Sequence, residues 1–318
     1  MAKPFYFPLL FLTPDFEGDQ IGTDELCIVR RKWRHTTFDF ATLATQHKLH
    51  LPFQMMDVLL SRCHLEMRIN TCDTHEEAIR VMSAMRLGLY AARMSPFLSP
   101  FVTTHSLNEY AGINARESKV MRSKLSPELQ DGVTSETGKV EVWPWELSLQ
   151  CITVGHKLNA TALRLESGVR LGKQWLEIVN KKPALKVAED AANDAPKLGN
   201  HDQSLLHVWT AIEGLFPNVS QEVSFRLALY LAQLYGSPKN RKPVYEHVKK
   251  AYNVRSKVAH GSVRGIEMSD WHDAWEILMS AVTAIIQRGT MPTEIELLDE
   301  LLIAPAETRQ PTGDGDEA

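Results

Sequence analysis

The strongest constraint on the fold is a run of four predicted helices in the second half of the chain, joined by short turns. Each segment carries apolar residues at helical spacing and is bounded by capping or helix-breaking residues. The helices are predicted at residues 203–216, 221–235, 243–259 and 270–288. The expected N-caps are Asp202, Ser220 and Ser269, the expected first-turn proline is Pro243, and the expected stops are Pro217, Gly236 and Gly289. Consecutive helices with short connections are typical of an all-α bundle.

The segments flanking this run extend the helical part. Residues 157–180 are predicted to form a helix in spite of their glycines, and residues 293–303 a short final helix. The charged, proline-bounded stretch 181–200 is expected to be a connector or a surface excursion. We therefore predict a helical bundle domain at 155–304. Residues 305–318 are acidic and lack apolar periodicity, so they are expected to be a disordered tail.

The first half of the chain has a mixed pattern. The apolar run 4–12 and the segments 25–33, 63–70 and 139–154 have the length and composition of strands, with a break at Pro144. One helix is predicted after Thr74, its expected N-cap, and the polar stretch 108–138 is expected to be a long surface loop. The predicted fold class is an α+β N-terminal domain, residues 1–154, followed by an all-α bundle.

Composition and net charge argue against several classes of protein. The formal net charge of −4 argues against coating nucleic acid or membrane with the whole surface. The four cysteines form no C-x-x-C pair and no zinc-ligand spacing, so free thiols in a reducing cytoplasm are expected, with no metal and no cofactor. The N-terminal apolar run is too short to span a bilayer and lacks a cleavage site, so neither a signal peptide nor membrane attachment is expected.

An arginine lies on the apolar face of the third predicted helix. Arg255 follows the helical spacing of Val248, Ala251 and Tyr252, so its guanidinium is expected to need a partner. Glu213 occupies the corresponding apolar face of the first predicted helix. The two residues are therefore expected to form a buried ion pair, with Arg226 as a second candidate partner for Glu213.

A histidine closes the same helix. Gly261 suits the position just after a helix, which makes His260 the last, half-helical residue. A helix C-terminus stabilises a protonated imidazole, a property suited to acid–base chemistry. Five residues of helix place the side chains of Arg255 and His260 roughly 140° apart. They would converge only if the helix unwinds near Val258 or if two copies face each other in a dimer.

The surroundings of this motif are basic. Between Ser237 and Gly265 the chain has eight lysines and arginines against the single acid Glu246, a net charge of +7 on a protein whose total is −4. A positive segment on an acidic protein is a reasonable footprint for a phosphate backbone. The simpler alternative is a solvated helix face whose arginine and histidine serve only as a salt bridge and a cap.

The stretch AIEGLFP…SFRLALYLAQLYG…VYEHVKKAYNVRSKVAHG resembles the HEPN superfamily, and specifically the Apea-like HEPN domain, over about residues 201–288. The resemblance rests on a Tyr-x-x-Arg-Ser-Lys-x-x-His-Gly block and on a glutamate and an arginine in the two preceding helices. It implies a helical bundle that dimerises with its R-x4-H motifs facing each other. It also implies a metal-independent endoribonuclease, with toxin or antiphage-defence roles. In the toxin–antitoxin branch controlled by nucleotidylation, a tyrosine stands two residues after the histidine. Ser262 occupies that position here, which argues against this control.

The resulting hypothesis is attack of a ribose 2′-hydroxyl on the adjacent phosphorus, giving a 2′,3′-cyclic phosphate. His260 would be the general base or acid, Arg255 would hold the phosphate, and Glu213 would orient either of them. Further candidates for RNA or phosphate contacts are Ser256, Lys257, Lys250, Arg264 and Arg226. The partners expected are RNA, a second copy of the chain, and a regulatory protein or ligand at the N-terminal domain.

Two alternatives stay open. In the first, the bundle binds a nucleotide, an RNA end or a partner without catalysis. In the second, the N-terminal region is an independent enzyme, although it has no Gly-rich phosphate loop, no G-x-S-x-G and no H-E-x-x-H motif.

Overall fold

The computed structural model describes residues 4–31, 63–94, 97–98, 101–106, 123, 140–142 and 159–303. Within them a small sheet region in the first half precedes a mostly helical second half, which confirms the fold class at that level. Elements are numbered in chain order among these residues. The predicted loop at 108–138, apart from residue 123, and the predicted tail at 305–318 lie outside the described residues, as does most of the predicted strand segment 139–154.

The described strands form one antiparallel sheet and one short parallel pair. They are β1 (Phe5–Leu10), β2 (Thr13–Asp15), β3 (Gln20–Gly22), β4 (Leu26–Arg30), β5 (Cys63–Ile69), β6 (Phe97–Leu98), β7 (Phe101–Thr103), β8 (Val140–Val142) and β9 (Asn159–Thr161). The sheet order is β3-β4-β5-β1-β7-β8, with β6 also paired to β1. Every residue of β1 is buried, as expected for an apolar run between two neighbouring strands.

The described helices start with α1 and continue through the whole second half. They are α1 (His75–Ala91), α2 (Ala162–Lys181), α3 (Lys186–Asp194), α4 (His201–Gly214), α5 (Val223–Tyr235), α6 (Arg241–Ala259), α7 (Met268–Arg288) and α8 (Glu294–Leu302). Short 3-10 turns occupy Pro183–Leu185 and Ala195–Lys197. The predicted cap of α1 is confirmed, because the Thr74 hydroxyl accepts a hydrogen bond from the backbone N–H of Glu77 at 3.2 Å.

Helix α2 begins later than the sequence pattern predicts. Residues 159–161 form β9, which pairs in parallel with β2, so the helix starts at Ala162 rather than near residue 157. Thr161 caps it through a 3.4 Å hydrogen bond from the N–H of Arg164. A local helical pattern cannot reveal this strand, because the strand pairs with a segment almost 150 residues earlier in the chain.

Close contact with α1 explains why the predicted helix at 157–180 contains glycines. A Cβ atom at Gly88 would lie 2.2 Å from the carbonyl oxygen of Gly168 and 2.3 Å from the backbone nitrogen of Gly172. No real side chain tolerates such distances. The two backbones therefore touch directly where α1 crosses α2, and glycine is required on both sides of the crossing.

The stretch 181–200 is not the surface excursion that its charges suggest. Helix α3 buries Ala188, Ala191 and Ala192, together with Glu189 at 2% exposure. The expectation of a surface excursion was therefore wrong. Alanine gives only a weak apolar signal in a sequence pattern, but three alanines on one face of a helix are enough for close packing against its neighbours.

Three predicted N-caps in the bundle are also wrong. Helix α4 is capped by Asn200, whose side chain accepts the N–H of Gln203 at 3.0 Å, whereas Asp202 lies inside the first turn. Helices α5 and α7 start after Glu222 and Glu267, neither of which makes a side-chain capping bond. Ser220 and Ser269 therefore do not cap, although the helices themselves are present. In contrast, Thr293 and Glu296 form a complete capping box on α8.

One hydrophobic cluster runs through the described part of the chain. It contains buried residues of β1 and β5, of α1 and of the helices that follow residue 159. Helix α1 lies before the predicted boundary at 154/155, yet it packs against α2, α3 and α7. The division into domains at this boundary remains a prediction.

Two further sequence expectations concern the cysteines and membrane-spanning helices. Among the described residues, Cys27, Cys63 and Cys72 are free, buried thiols, and burial raises the pKa of each. Cys151 lies outside them. No helix in the described ranges combines the length and the apolar character needed to cross a bilayer.

Candidate functional site

Helix α6 carries the candidate site and packs against α4, α5 and α7. The predicted stripe is present but only its centre is fully covered: Val248 and Ala251 are buried, whereas Tyr252 and Arg255 are half-buried. Toward its C-terminal end the helix therefore rises out of the core. Arg255 lies where solvent begins to reach the stripe.

The predicted ion pair between Arg255 and Glu213 is present. Nη2 of Arg255 lies 2.9 Å from Oε1 of Glu213 and donates a hydrogen bond to Oε2 at 3.1 Å. The two side chains are 24% and 29% exposed, so the pair is neither sealed in the core nor freely solvated. Nε of Arg255 is buried and has no hydrogen-bond partner within the described ranges. The guanidinium therefore keeps unused donor capacity beside its carboxylate.

An aromatic pair supports this ion pair. The Arg255 guanidinium lies 5.4 Å from the centre of the Tyr252 ring, in cation–π range. Tyr252 in turn packs edge-on against the buried Trp209, with ring centres 5.2 Å apart. Burial, and then the Glu213 carboxylate, raise the pKa of the Tyr252 phenol, so it stays protonated. Tyr252 was not among the site residues predicted from the sequence, although it stands three residues before Arg255 on the same face of the helix.

His260 ends the helix as the sequence predicts. Gly261 has a φ of +68°, a conformation that favours glycine, and it follows His260 directly. The N–H of Gly261 donates to the carbonyl of Val258 at 3.0 Å, and the N–H of Ser262 donates to that of Lys257 at 2.8 Å. This pair of bonds is a Schellman motif. It fixes the backbone of His260 while leaving the residue exposed.

The loop after His260 is tied to the start of α4. Asp202 accepts hydrogen bonds from the backbone N–H groups of Gly265 at 2.9 Å and Ile266 at 3.0 Å. These bonds lower the pKa of the Asp202 carboxyl. Asp202 was expected to cap α4, but its role is to hold the chain that leaves the motif. No local pattern could have found this contact, because 63 residues separate the partners.

Arg255 and His260 do not converge within one chain. Helix α6 continues to Ala259, so the unwinding near Val258 that would bring them together is absent. The helical spacing leaves the two side chains roughly 140° apart around the axis. Of the two arrangements considered from sequence, a site shared between two copies is the one that stays open.

The other candidate residues for RNA or phosphate are spread over the surface of the helical part. Lys250, Lys257 and Arg264 are exposed, and Ser256 is half-buried. Arg226 lies 3.9 Å from Glu222 on its own helix, so it is not the partner of Glu213.

Comparison with known proteins adds no family name. Neither the family models, nor the curated proteins, nor the solved structures contain a match to this chain.

Proposed function

We propose that this protein is a metal-independent endoribonuclease of the HEPN type, acting as a toxin or antiphage effector. The observation that carries the proposal is the C-terminal half of α6. There Arg255, half-buried and paired with Glu213 of α4, and the exposed, backbone-fixed His260 both lie within the segment 237–265, whose net charge is +7. An imidazole can serve as general acid or base in RNA cleavage by its own 2′-hydroxyl, and a guanidinium can stabilise the charge that develops on the phosphate.

In the proposed reaction, the 2′-hydroxyl oxygen forms a bond to phosphorus and the bond to the 5′-oxygen breaks. The products are a 2′,3′-cyclic phosphate and a 5′-hydroxyl. His260 takes the proton from the 2′-hydroxyl or gives one to the leaving oxygen. Arg255 holds the phosphate oxygens and stabilises the charge that develops on them.

Glu213 and Tyr252 are positioning residues in this proposal. Glu213 binds a single terminal nitrogen of Arg255, and the Tyr252 ring lies against the guanidinium. Together they restrict the rotamers of a long side chain that would otherwise lose entropy on binding phosphate. The exposed Lys250, Lys257 and Arg264 lie in the same basic segment and would contact RNA phosphates further from the cleaved bond.

The proposed site is shared between two copies. Because Arg255 and His260 of one chain diverge around α6, Arg255 of one protomer would act with the partner subunit's His260 across a twofold axis. The dimer would form through the helical domain.

The direct test is incubation of the purified protein with single-stranded RNA in EDTA. We expect fragments that end in a 2′,3′-cyclic phosphate, and a loss of about 10²–10⁴-fold in rate for His260→Ala and for Arg255→Ala. His247→Ala is the matched control, since His247 is an exposed histidine of the same helix. This variant should cleave RNA at the wild-type rate. Failure of the wild-type protein to cleave any RNA would contradict the proposal.

The shared site has its own test. Arg255→Ala and His260→Ala protein are mixed under conditions that exchange subunits. A mixed dimer retains one intact Arg–His pair only if the pair spans the interface, so activity should reappear on mixing. If two active sites lie within separate chains, the mixture stays inactive.

The second candidate function is a non-catalytic module that binds RNA, a nucleotide or a protein partner. The divergence of Arg255 and His260 within one chain favours it, and so does the neutralisation of Arg255 by Glu213. Tight RNA binding without cleavage, weakened by substitution of Lys250 or Lys257, would distinguish this function from the first.

A further inference from the structure

A cavity of about 650 Å³ lies at the opposite end of α6 from His260. Its walls come from the end of α1, the end of α5, the first residue of α6 and the facing sides of α7 and α8. At 1.5 Å per residue, Arg241 and His260 are separated by roughly 28 Å along the helix. The cavity is therefore distinct from the proposed nuclease site, and its volume falls in the range of small-molecule pockets, roughly 300–1,000 Å³.

The charges in the cavity do not balance. Arg288 binds Glu300 through two hydrogen bonds of 2.8 and 3.0 Å, and Arg93 is paired with Glu276. Arg241 also lines the cavity and makes no ion pair or hydrogen bond among the residues that the structure describes. Glu300 is hydrogen-bonded to Arg288 and Gln233, which are the main causes of its lowered pKa, and the charge of Arg241 adds a smaller attraction. The Nε atom of Arg241 is buried. Arg241 thus lines the cavity without a carboxylate of its own, and its donors are unused within the described part of the chain.

A buried acceptor in the same cavity is also unsatisfied. Gln233 is 5% exposed, and its Nε2 donates to Glu300 at 2.9 Å. Its Oε1 atom is buried and accepts no hydrogen bond from the residues that the structure describes. The opposite orientation of the amide would turn this oxygen toward the Glu300 carboxylate, which is repulsive. Since buried polar groups in proteins are normally hydrogen-bonded, this oxygen lacks a donor that the described residues do not supply.

We propose that this cavity binds a small organic anion, a phosphate monoester or a carboxylate, whose body carries at least one hydrogen-bond donor. Arg241 contacts the anionic oxygens with its planar fork, and the positive end of the α6 dipole adds to the attraction. Gln233 accepts a hydrogen bond from the body of the ligand. Tyr235 also lines the cavity, and because burial raises the pKa of its phenol, it adds no negative charge.

Isothermal titration calorimetry on the full chain tests this binding with three related probes. Glucose 6-phosphate carries a phosphate, gluconate carries a carboxylate, and glucose has the same hydroxyl-rich body without charge. We expect one or both anions to bind and glucose not to bind. The readout is ligand binding, so the outcome is independent of whether the protein cleaves RNA.

Two variants identify the residue responsible. Arg241→Gln should weaken binding of the anion at least tenfold. Lys242→Gln removes the same charge one residue later, from a side chain that is 86% exposed and outside the cavity, and should bind like wild type. Absence of heat with both anions, equal binding of glucose, or unchanged affinity in Arg241→Gln would each overturn the proposal.

Hydrogen–deuterium exchange on the wild-type chain gives a second measurement that does not depend on a variant folding. Bound anion should slow amide exchange at residues 233–241, where α5 ends and α6 begins. An anion that binds without changing exchange in this segment occupies another site, and the assignment to this cavity would then be wrong.

Discussion

Two carboxylate–guanidinium pairs, one in the sheet region and one in the bundle, differ in how far solvent reaches them. In the sheet, Glu66 is fully buried, lies 2.5 Å from Nε of Arg31, and accepts a hydrogen bond from the Ser106 hydroxyl at 2.7 Å, whereas the Arg31 side chain is 23% exposed. In the bundle, Glu213 and Arg255 keep about a quarter of their side-chain surface exposed. The two guanidinium side chains are therefore almost equally exposed, and the difference lies in the carboxylate, which is closed to solvent in the sheet and open to it in the bundle.

The difference indicates what each pair can do. A buried carboxylate is stable as an anion only while its cation and donors stay in place, so the sheet pair serves the fold. In the bundle pair both partners are partly exposed, so a phosphate can approach the Arg255 guanidinium while water solvates the Glu213 carboxylate. Burial, rather than residue type, separates the structural pair from the candidate functional one.

The largest expected effect contrasts the two carboxylates directly. Glu66→Ala should lower the free energy of unfolding by about 3–5 kcal/mol, because it leaves Arg31 and Ser106 without their shared acceptor. Glu213→Ala should cost about 1 kcal/mol or less, since water can replace the carboxylate. Urea denaturation of both variants measures the difference. Equal losses would remove the distinction between a closed and an open pair.

A buried carboxylate that forms no ion pair in the described part of the chain sharpens the comparison. Glu189 is 2% exposed and accepts a hydrogen bond from Nε1 of Trp175 at 2.9 Å, and burial raises its pKa from 4.5 to about 7. The folded state therefore keeps its proton to a higher pH than the unfolded state does. Its contribution to stability is complete below pH 4.5 and is lost as the pH rises to about 7, by about 3 kcal/mol.

Glu189→Gln is the matched variant for this prediction. Glutamine preserves the shape of the side chain and an acceptor for Trp175, but it cannot ionise. Between pH 4.5 and 7 the variant should therefore lose about 3 kcal/mol less stability than the wild type. Thermal unfolding at several pH values measures it. A wild-type and a variant curve that stay parallel across this window would show that Glu189 does not titrate there.

The smallest expected effect concerns a carboxylate at the surface of the bundle. Asp202→Asn replaces the charged acceptor of two backbone N–H groups with a neutral one, and should cost about 1 kcal/mol or less. Because the pKa of Asp202 is lowered, the wild-type contribution is lost only as the pH falls through that lowered value. The rate of amide hydrogen–deuterium exchange at residues 261–266 should be higher in the variant. Unchanged protection there would mean that Asp202 does not hold the loop after His260.

The sequence predicted those features of the candidate site that depend on local spacing. Arg255 lies on the buried stripe of its helix because apolar residues recur every three or four positions, and His260 ends the helix because Gly261 can adopt a positive φ. The partner of Arg255 was also predicted, since an isolated charge on an apolar face requires one. These inferences use only a helix of known period and the cost of burying a charge.

Contacts between distant segments were not predictable in the same way. Asp202 stands where a cap is expected, yet it binds Gly265 and Ile266, and the strand 159–161 appears only because β2 lies alongside it. The alanine face of α3 looks polar in sequence and is buried in the structure. Each outcome depends on a neighbour that local propensity does not encode.

The sequence by itself determined the succession of a strand-rich half and a helical half, the ends of α6, and the Glu213–Arg255 pair. Hydrophobic period, glycine and charge burial are local properties, so they could be inferred residue by residue. Only the tertiary structure decided that the Glu213 carboxylate stays partly open to solvent while that of Glu66 is closed, and that Arg241 lines a cavity without a hydrogen-bond partner among the described residues. Exposure and pairing are set by which elements pack together, and that depends on the whole chain.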